Sequence, residues 1–280
     1  MKSHGIAYLN QPGYQGVSWN PITGCTPVGA GCDNCWARSM ANRFGWPTEP
    51  TFHPERLEEP ARWRKPRCVA VAFMGDLFHE DILLGDLTHI HDAMMDASRH
   101  RFLLLTKRPS RMADFYTSAY DRDGNTADHG WRYMRPGDSL THIWPGTSAW
   151  DQASADANVP HLLRVPAAVR WLSLEPLLGP VDLRRYLPIE CPRMEPYESQ
   201  AEFLARVAVE DAARLRWVVP GCESGPSRRP CELEWVRSVV EQCAAAGVKC
   251  FVKQLDLDGR VSHDPAEWPE DLRVREYPDA

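Results

Sequence analysis

Apolar residues in this chain fall mostly into short unbroken runs, each closed by a polar or ionisable residue. Cys68-Val-Ala-Val-Ala-Phe-Met74 is apolar throughout, as a strand covered on both faces is. Arg101-Phe-Leu-Leu-Leu-Thr106, His142-Ile-Trp-Pro-Gly146, Arg170-Trp-Leu-Ser-Leu174, Arg216-Trp-Val-Val219 and Val248-Lys-Cys-Phe-Val252 repeat the pattern. Helical spacing lies between them. Leu87, Ile90, Met94 and Ala97 mark a helix from near Asp86, residues 110–116 a short one, and Val236, Val239, Val240 and Cys243 a helix over 232–246. Pro160 and Pro166 predict a broken helical stretch before Arg170, and 198–215 reads as a further helix.

Strands alternating with helices of crossover length predict a parallel α/β sheet. With the segment before Cys25 there are about seven strands, so the expected fold is a parallel (βα) TIM-like barrel, complete or partial. One domain, 1–280, accommodates it, with irregular excursions near 119–140 and 188–214 and a coil tail after 255. In such a sheet the C-terminal strand ends share one side, where sites are built. The residues at those ends are Asp76, Lys107, Thr147 and Ser148, Glu175, Glu223, and Lys253 with Gln254. That recurrence argues for an enzyme. Asp76, Lys107, Glu175, Glu223 and Lys253 are the candidate catalytic residues, because a carboxylate at the end of an apolar strand needs a cation, a metal or a substrate amine beside it.

The densest chemistry lies earlier, in Cys25-Thr-Pro-Val-Gly-Ala-Gly-Cys32-Asp-Asn-Cys35. A structural zinc takes four protein ligands, whereas three thiolates hold a cubane iron-sulfur cluster with one iron left open. The three metal candidates are Cys25, Cys32 and Cys35. Gly24, Gly29 and Gly31 suggest a backbone free to take positive φ and bring N–H groups to sulfur. Asp33 or Asn34 is placed to cap a helix carrying Trp36, Met40 and Phe44 and ending at Gly45. Trp19 and Trp36 flank the triad and suggest a shield against water. The alternative is a four-ligand zinc completed by Cys68, His53 or another distant residue.

Composition narrows the setting. Of 280 residues, 43% are hydrophobic and 25% charged, with no apolar run near membrane-spanning length, so no membrane role is expected. The net charge of -6 gives no general footprint for nucleic acid, and a pure nucleic-acid binding module is the weakest reading. The basic run Arg62-Trp-Arg-Lys-Pro-Arg67 reads as a solvated connection. The N-terminal residues lack a secretory signal's apolar core, and the nine cysteines are odd in number; both suggest a reducing, cytoplasmic setting. Cys68, Cys191, Cys222, Cys231, Cys243 and Cys250 are expected to be small buried hydrophobes.

Ser18-Trp-Asn-Pro-Ile-Thr-Gly-Cys25, Cys32-x-x-Cys35, Met74-Gly-Asp-Leu-Phe78, Leu105-Thr-Lys-Arg-Pro109, Leu174-Glu-Pro-Leu-Leu178, Gly221-Cys-Glu-Ser-Gly-Pro226 and Val252-Lys-Gln254 resemble the phage Gp37/Gp68-type three-cysteine-motif proteins. That family is largely uncharacterised, and its pattern is in turn similar to the radical S-adenosylmethionine enzymes. The resemblance implies a 4Fe-4S cluster on Cys25, Cys32 and Cys35 and S-adenosylmethionine as cofactor. It places Gly75 and Asp76 near the cofactor's methionyl amine, and Thr147, Ser148 and Glu175 near its ribose or carboxylate. In this chain six residues separate the first two cysteines instead of three, and the aromatic follows the third cysteine. The implied function is an iron-sulfur enzyme needing an electron donor, its substrate unnamed, with nucleic acid or a nucleotide suggested by the phage setting. The alternative function is a zinc-stabilised barrel acting on or binding a nucleotide without redox chemistry.

Overall fold

The computed structural model describes residues 5–117, 140–188, 199–200 and 214–279. The expected excursion at 119–140, all but its last residue, most of that at 188–214 with its helix, and Cys191 lie outside them. The fold is mixed α/β with parallel sheets and six α-helices among the described residues.

The first sheet runs in the order β1 (Gln15–Trp19), β4 (Arg67–Val71), β5 (Arg101–Leu104), β6 (Ile143–Trp144). The second runs β7 (Gly146–Ser148), β8 (Trp171–Leu174), β9 (Trp217–Pro220), β10 (Lys249–Cys250). Every pairing in both is parallel. β6 and β7 are two ends of one run interrupted at Pro145, which has no N–H to give a ladder. The sheets meet at a parallel bridge between Thr106 and Thr147, where Thr106 N–H donates to Gly146 O (3.2 Å) and Ser148 N–H donates to Thr106 O (3.1 Å). Among the described residues no pairing joins β10 to β1, so a closed ring is not seen.

Alternation along the strands sorts the core into two layers. Val69, Val71, Phe102, Leu104, Ile143, Leu172 and Val218 belong to a large cluster shared with the helices. Cys68, Ala70, Leu103, Trp144, Trp171, Trp217 and Phe251 form a second cluster from both sheets, closed by Tyr8 and Leu9. The Tyr8 ring stands 5.7 Å from Trp171 and 5.8 Å from Trp217 between centroids, so an N-terminal turn plugs the space beneath the strands. Arg101 opens β5 with its guanidinium over Trp144 at 4.0 Å, a cation–π contact that lets a charge sit in this layer.

The crossovers are α3 (Leu84–Asp96) between β4 and β5, α4 (Pro109–Thr117) after β5, α5 (Gln152–Leu163) between β7 and β8, and α6 (Leu233–Ala245) between β9 and β10. α3 buries Leu87, Ile90 and Met94 as its spacing required. The chain from β1 to β4 is longer and holds the cysteine loop, α1 (Trp36–Phe44), the β2 (Ile22–Thr23) and β3 (Thr51–Phe52) pair, and α2 (Glu59–Arg62).

Two expectations fail for physical reasons, and α1 buries a face its spacing does not mark. α5 runs unbroken through Pro160, started by a capping box in which Asp151 accepts from Ser154 N–H and Ser154 returns a bond to the Asp151 backbone. The tail after 255 is not coil: β11 (Leu255–Leu257) and β12 (Arg260–Ser262) pair, Trp268 and Leu272 are buried, and Phe251 bridges Arg275. Trp36 and Phe44 of α1 face outward while Ala41 is its buried residue, so the four-residue apolar spacing does not mark the core face.

Candidate functional site

Because all strands of both sheets run the same way, their C-terminal ends open into one cavity of about 860 Å³. Cys25, Cys32 and Cys35 line it, together with Gly75, Asp76, Lys107, Ser148, Glu175, Glu223 and Lys253. Thr147 does not: it is fully buried, and its hydroxyl donates to Thr106 O at 2.8 Å, tying the two sheets together. Trp19 is buried with its indole N–H on Arg56 O and is likewise absent from the lining, so only Trp36 of the two expected shields reaches the cavity.

The cysteine loop is pinned at two places. At its start, the Arg108 guanidinium donates from Nη1 to Cys25 Sγ (3.4 Å) and from Nη2 to Thr26 Oγ1 (2.9 Å) and Thr26 O (3.3 Å). His79 fixes Thr26 from the other side: Asp81 N–H donates to its Nδ1, so Nε2 carries the proton and donates to Thr26 Oγ1 at 2.8 Å. Burial and the Arg108 charge both lower the His79 pKa and keep the ring neutral. Arg108 is itself held by Glu80 at 2.5 Å and by Asp76 at 3.2 Å. Its hydrogen bond pulls the Glu80 carboxyl down to about 2.

At the end of the loop, Arg229 reaches across from the turn after β9. It donates to Ala30 O (2.8 Å), Asp33 Oδ2 (3.1 Å) and both oxygens of Glu223, while Asn34 Nδ2 donates to Glu223 Oε2 (3.0 Å) and Ser227 O (2.7 Å). Asp33 and Asn34 are therefore not helix caps. Cys35 occupies the cap position of α1 without a side-chain bond. Burial raises the Glu223 pKa, but the bonds from Arg229 and Asn34 outweigh it and hold the carboxyl below its ordinary value.

The glycines act differently from the sequence expectation. Gly24 alone of the three takes a left-handed φ, of 80°. Gly29 and Gly31 lie flat against the Trp150 indole, where an added Cβ would stand 2.7 Å and 2.4 Å from ring atoms. Their role is close approach. Gly75 is the same kind of residue, with a Cβ position 2.8 Å from Gly24 O.

Two expected catalytic carboxylates are saturated. Asp76 accepts from Phe78 N–H (3.0 Å), Thr106 Oγ1 (2.6 Å), Lys107 N–H (3.2 Å) and Arg108 Nη1 (3.2 Å), which fills its lone pairs. It orders the turns after β4 and β5 and leaves nothing for a cofactor amine. Glu223 is spent on the clasp. Glu175 differs: it pairs with Lys253 and lies 3.4 Å from Gln254 Nε2, both from the end of β10, on the cavity wall. Lys107 and Arg38 line the cavity with no ion-pair partner among the described residues. The sequence points to neither Arg108 nor Arg229 as a site residue, and to Asn34 only as a helix cap. Arg108 sits in the Thr-Lys-Arg-Pro motif beside Lys107, so its position was legible; Arg229, 196 residues from Asp33, had no local signal.

Residues 11–264 match a family model described as a protein of unknown function (DUF5131). The chain belongs to this family. No curated protein and no solved structure matches it. The matched span of this DUF5131 chain includes the cysteine loop, both of its anchors and the Glu175–Lys253 pair.

The thiols fit a cluster by donor type. All three are free and half-exposed on one cavity, while Cys68, Cys222, Cys231, Cys243 and Cys250 are free and buried. Burial and then Asp76, opposed by Arg108, push the Cys25 thiol up to about 11, so at neutral pH the metal-free thiol stays protonated. Of the two distant zinc candidates, Cys68 lies in the inner aromatic layer, away from the cavity, whereas His53 is on the cavity lining and hydrogen-bonded to Thr23 at 2.7 Å. Among the described residues no three His, Cys, Asp or Glu side chains converge on one metal ion. In a cubane each thiolate binds a different iron, so such convergence is not what a cluster requires.

Proposed function

We propose that this protein is an iron-sulfur enzyme of the radical S-adenosylmethionine type, built on an incomplete TIM-like barrel. The observation that carries the reading is that three free thiols on one anchored loop share a cavity with the polar residues at six parallel strand ends. Cys25, Cys32 and Cys35 would hold a 4Fe-4S cluster. When bound, that group supplies an electron for reductive cleavage of S-adenosylmethionine, and an electron donor protein would recharge it.

The chain's own residues do the rest. Arg108 directs a charge-assisted hydrogen bond at the Cys25 sulfur, which favours the more reduced, more negative cluster. The Arg229–Glu223–Asn34 clasp fixes the 30–34 backbone and with it the separation of Cys32 and Cys35 from Cys25. Lys253 and Glu175 present a paired donor and acceptor to a cofactor carrying both amine and carboxylate. Ser148 lies beside them on the wall, and Tyr8 with the aromatic layer below excludes water from the floor.

The test is anaerobic purification with iron, sulfide and zinc analysis and an absorption spectrum. Brown protein with about four irons per chain is expected, lost in Cys25→Ala, Cys32→Ala and Cys35→Ala and kept in Cys231→Ala, whose thiol is in the core. One tightly bound zinc without sulfide would overturn the reading.

A further inference from the structure

α1 holds its aromatic side chains out of the core. Trp36 at its first position is 45% exposed, Phe44 at its last 53%, and Trp46 just beyond it 49%. The helix ends at Gly45, whose φ of 65° turns the chain back, and Trp46 N–H donates to Ala41 O at 2.9 Å. That turn lays the Trp46 indole on the Phe44 ring, with centroids 5.1 Å apart and planes inclined by 25°. The Arg43 guanidinium stands 5.5 Å from the centre of Phe44. Trp36 and Trp46 also line the cavity, so the group forms part of its rim. Large rings left in water at a cavity mouth mark a contact surface.

Charge says what kind. α1 carries Arg38 and Arg43 and no acidic residue. Within the cavity each carboxylate already has its cation: Asp76 has Arg108, Glu175 has Lys253 and Glu223 has Arg229. Arg38 and Lys107 are left over, so a chain of net charge -6 presents surplus positive charge here. Flat π faces interleaved with arginine and lysine suit an anionic polymer with flat bases. The bases must also be free to stack, which a single strand permits and a duplex does not.

We propose that this rim binds single-stranded nucleic acid. Bases stack on Trp36 and on the Phe44–Trp46 pair, phosphates lie at Arg38 and Arg43, and one nucleotide enters the cavity toward Lys107 as substrate. The substrate role rests on the radical-enzyme reading above; the binding does not.

Fluorescence anisotropy of anaerobically purified full-length protein tests it, with dye-labelled single strands of about twelve nucleotides, DNA and RNA in separate arms. Phe44→Ala, Trp46→Ala and Arg43→Glu are compared after circular dichroism confirms the parent fold. Saturable binding to at least one strand type is expected, weakening with salt and weaker in each aromatic variant by roughly fivefold or more. The duplex competes less well than the single strand. The proposal is overturned by absent saturable binding or by aromatic variants within about twofold of the parent. It is equally overturned if heparin, a polyanion without bases, competes as well as the oligonucleotide. Iron and sulfide are assayed on the same samples. Binding without a cluster removes the radical chemistry and keeps the interface; a cluster without binding removes the interface alone.

Discussion

Arg108 points a guanidinium N–H at the Cys25 sulfur, 3.4 Å away, from a side chain that also neutralises the buried carboxylate of Asp76. One residue thus couples the cysteine loop to the ends of β4 and β5. Arg108→Gln keeps some hydrogen bonding but strands the Asp76 charge, so a loss of about 3 kcal/mol in urea unfolding is expected. Arg108→Lys, which keeps the charge without the planar fork, is expected to recover part of that stability but not the contacts to Thr26. Equal stability of Arg108→Gln and the parent would remove this role.

The Glu223 clasp carries a pH signature. Its folded pKa lies below the ordinary carboxylate value, so its contribution is complete above about pH 4.5 and is lost as pH falls through the lower folded value. Glu223→Gln lacks that dependence. The variant is expected to be less stable than the parent by about 2 kcal/mol near neutral pH, with the gap closing in acid. A gap independent of pH would show that shape, not charge, holds the clasp.

Gly31 tests the packing of the loop on Trp150. A methyl group there would meet the indole at 2.4 Å, so Gly31→Ala must displace the ring or the loop. A loss of about 1–3 kcal/mol is expected, together with reduced iron loading. Gly5→Ala is the control, since no atom lies within 4 Å of its added Cβ.

Cys25 in iron-free protein should alkylate slowly at neutral pH and faster as pH rises toward its thiol value of about 11. Arg108 lowers that value, so Arg108→Gln is expected to shift the rate profile to still higher pH, and iodoacetamide labelling followed by mass spectrometry reads the shift. A profile unchanged by the substitution would mean that the guanidinium does not act on this sulfur.

The parallel strands were legible because a parallel sheet covered on both faces demands uninterrupted apolar runs, and the polar residue closing each run fell where the chain leaves the sheet. That reasoning brought Asp76, Lys107, Glu175, Glu223 and Lys253 to one cavity with the three cysteines. It failed for Thr147, one residue short of the cavity: alternation sends neighbouring side chains to opposite faces, and Ser148 faces the cavity in its place. For α1 the spacing of Trp36, Met40 and Phe44 marked the helix and its end at Gly45, but nothing local says that the Ala41 side is the buried one.

Residue type and order therefore determined the layers, the thiol donors and the side of the sheet on which they meet, because periodicity and cysteine spacing are properties of neighbouring residues. Which carboxylates remain available was decided only by tertiary structure. Asp76 and Glu223 are consumed by Arg108 and Arg229, partners 32 and 6 residues away, and the second of these arginines reaches Asp33 across 196. A carboxylate's chemistry depends on the cation beside it, and whether that cation lies 6 or 32 residues away, the folded turns at the strand ends set it there.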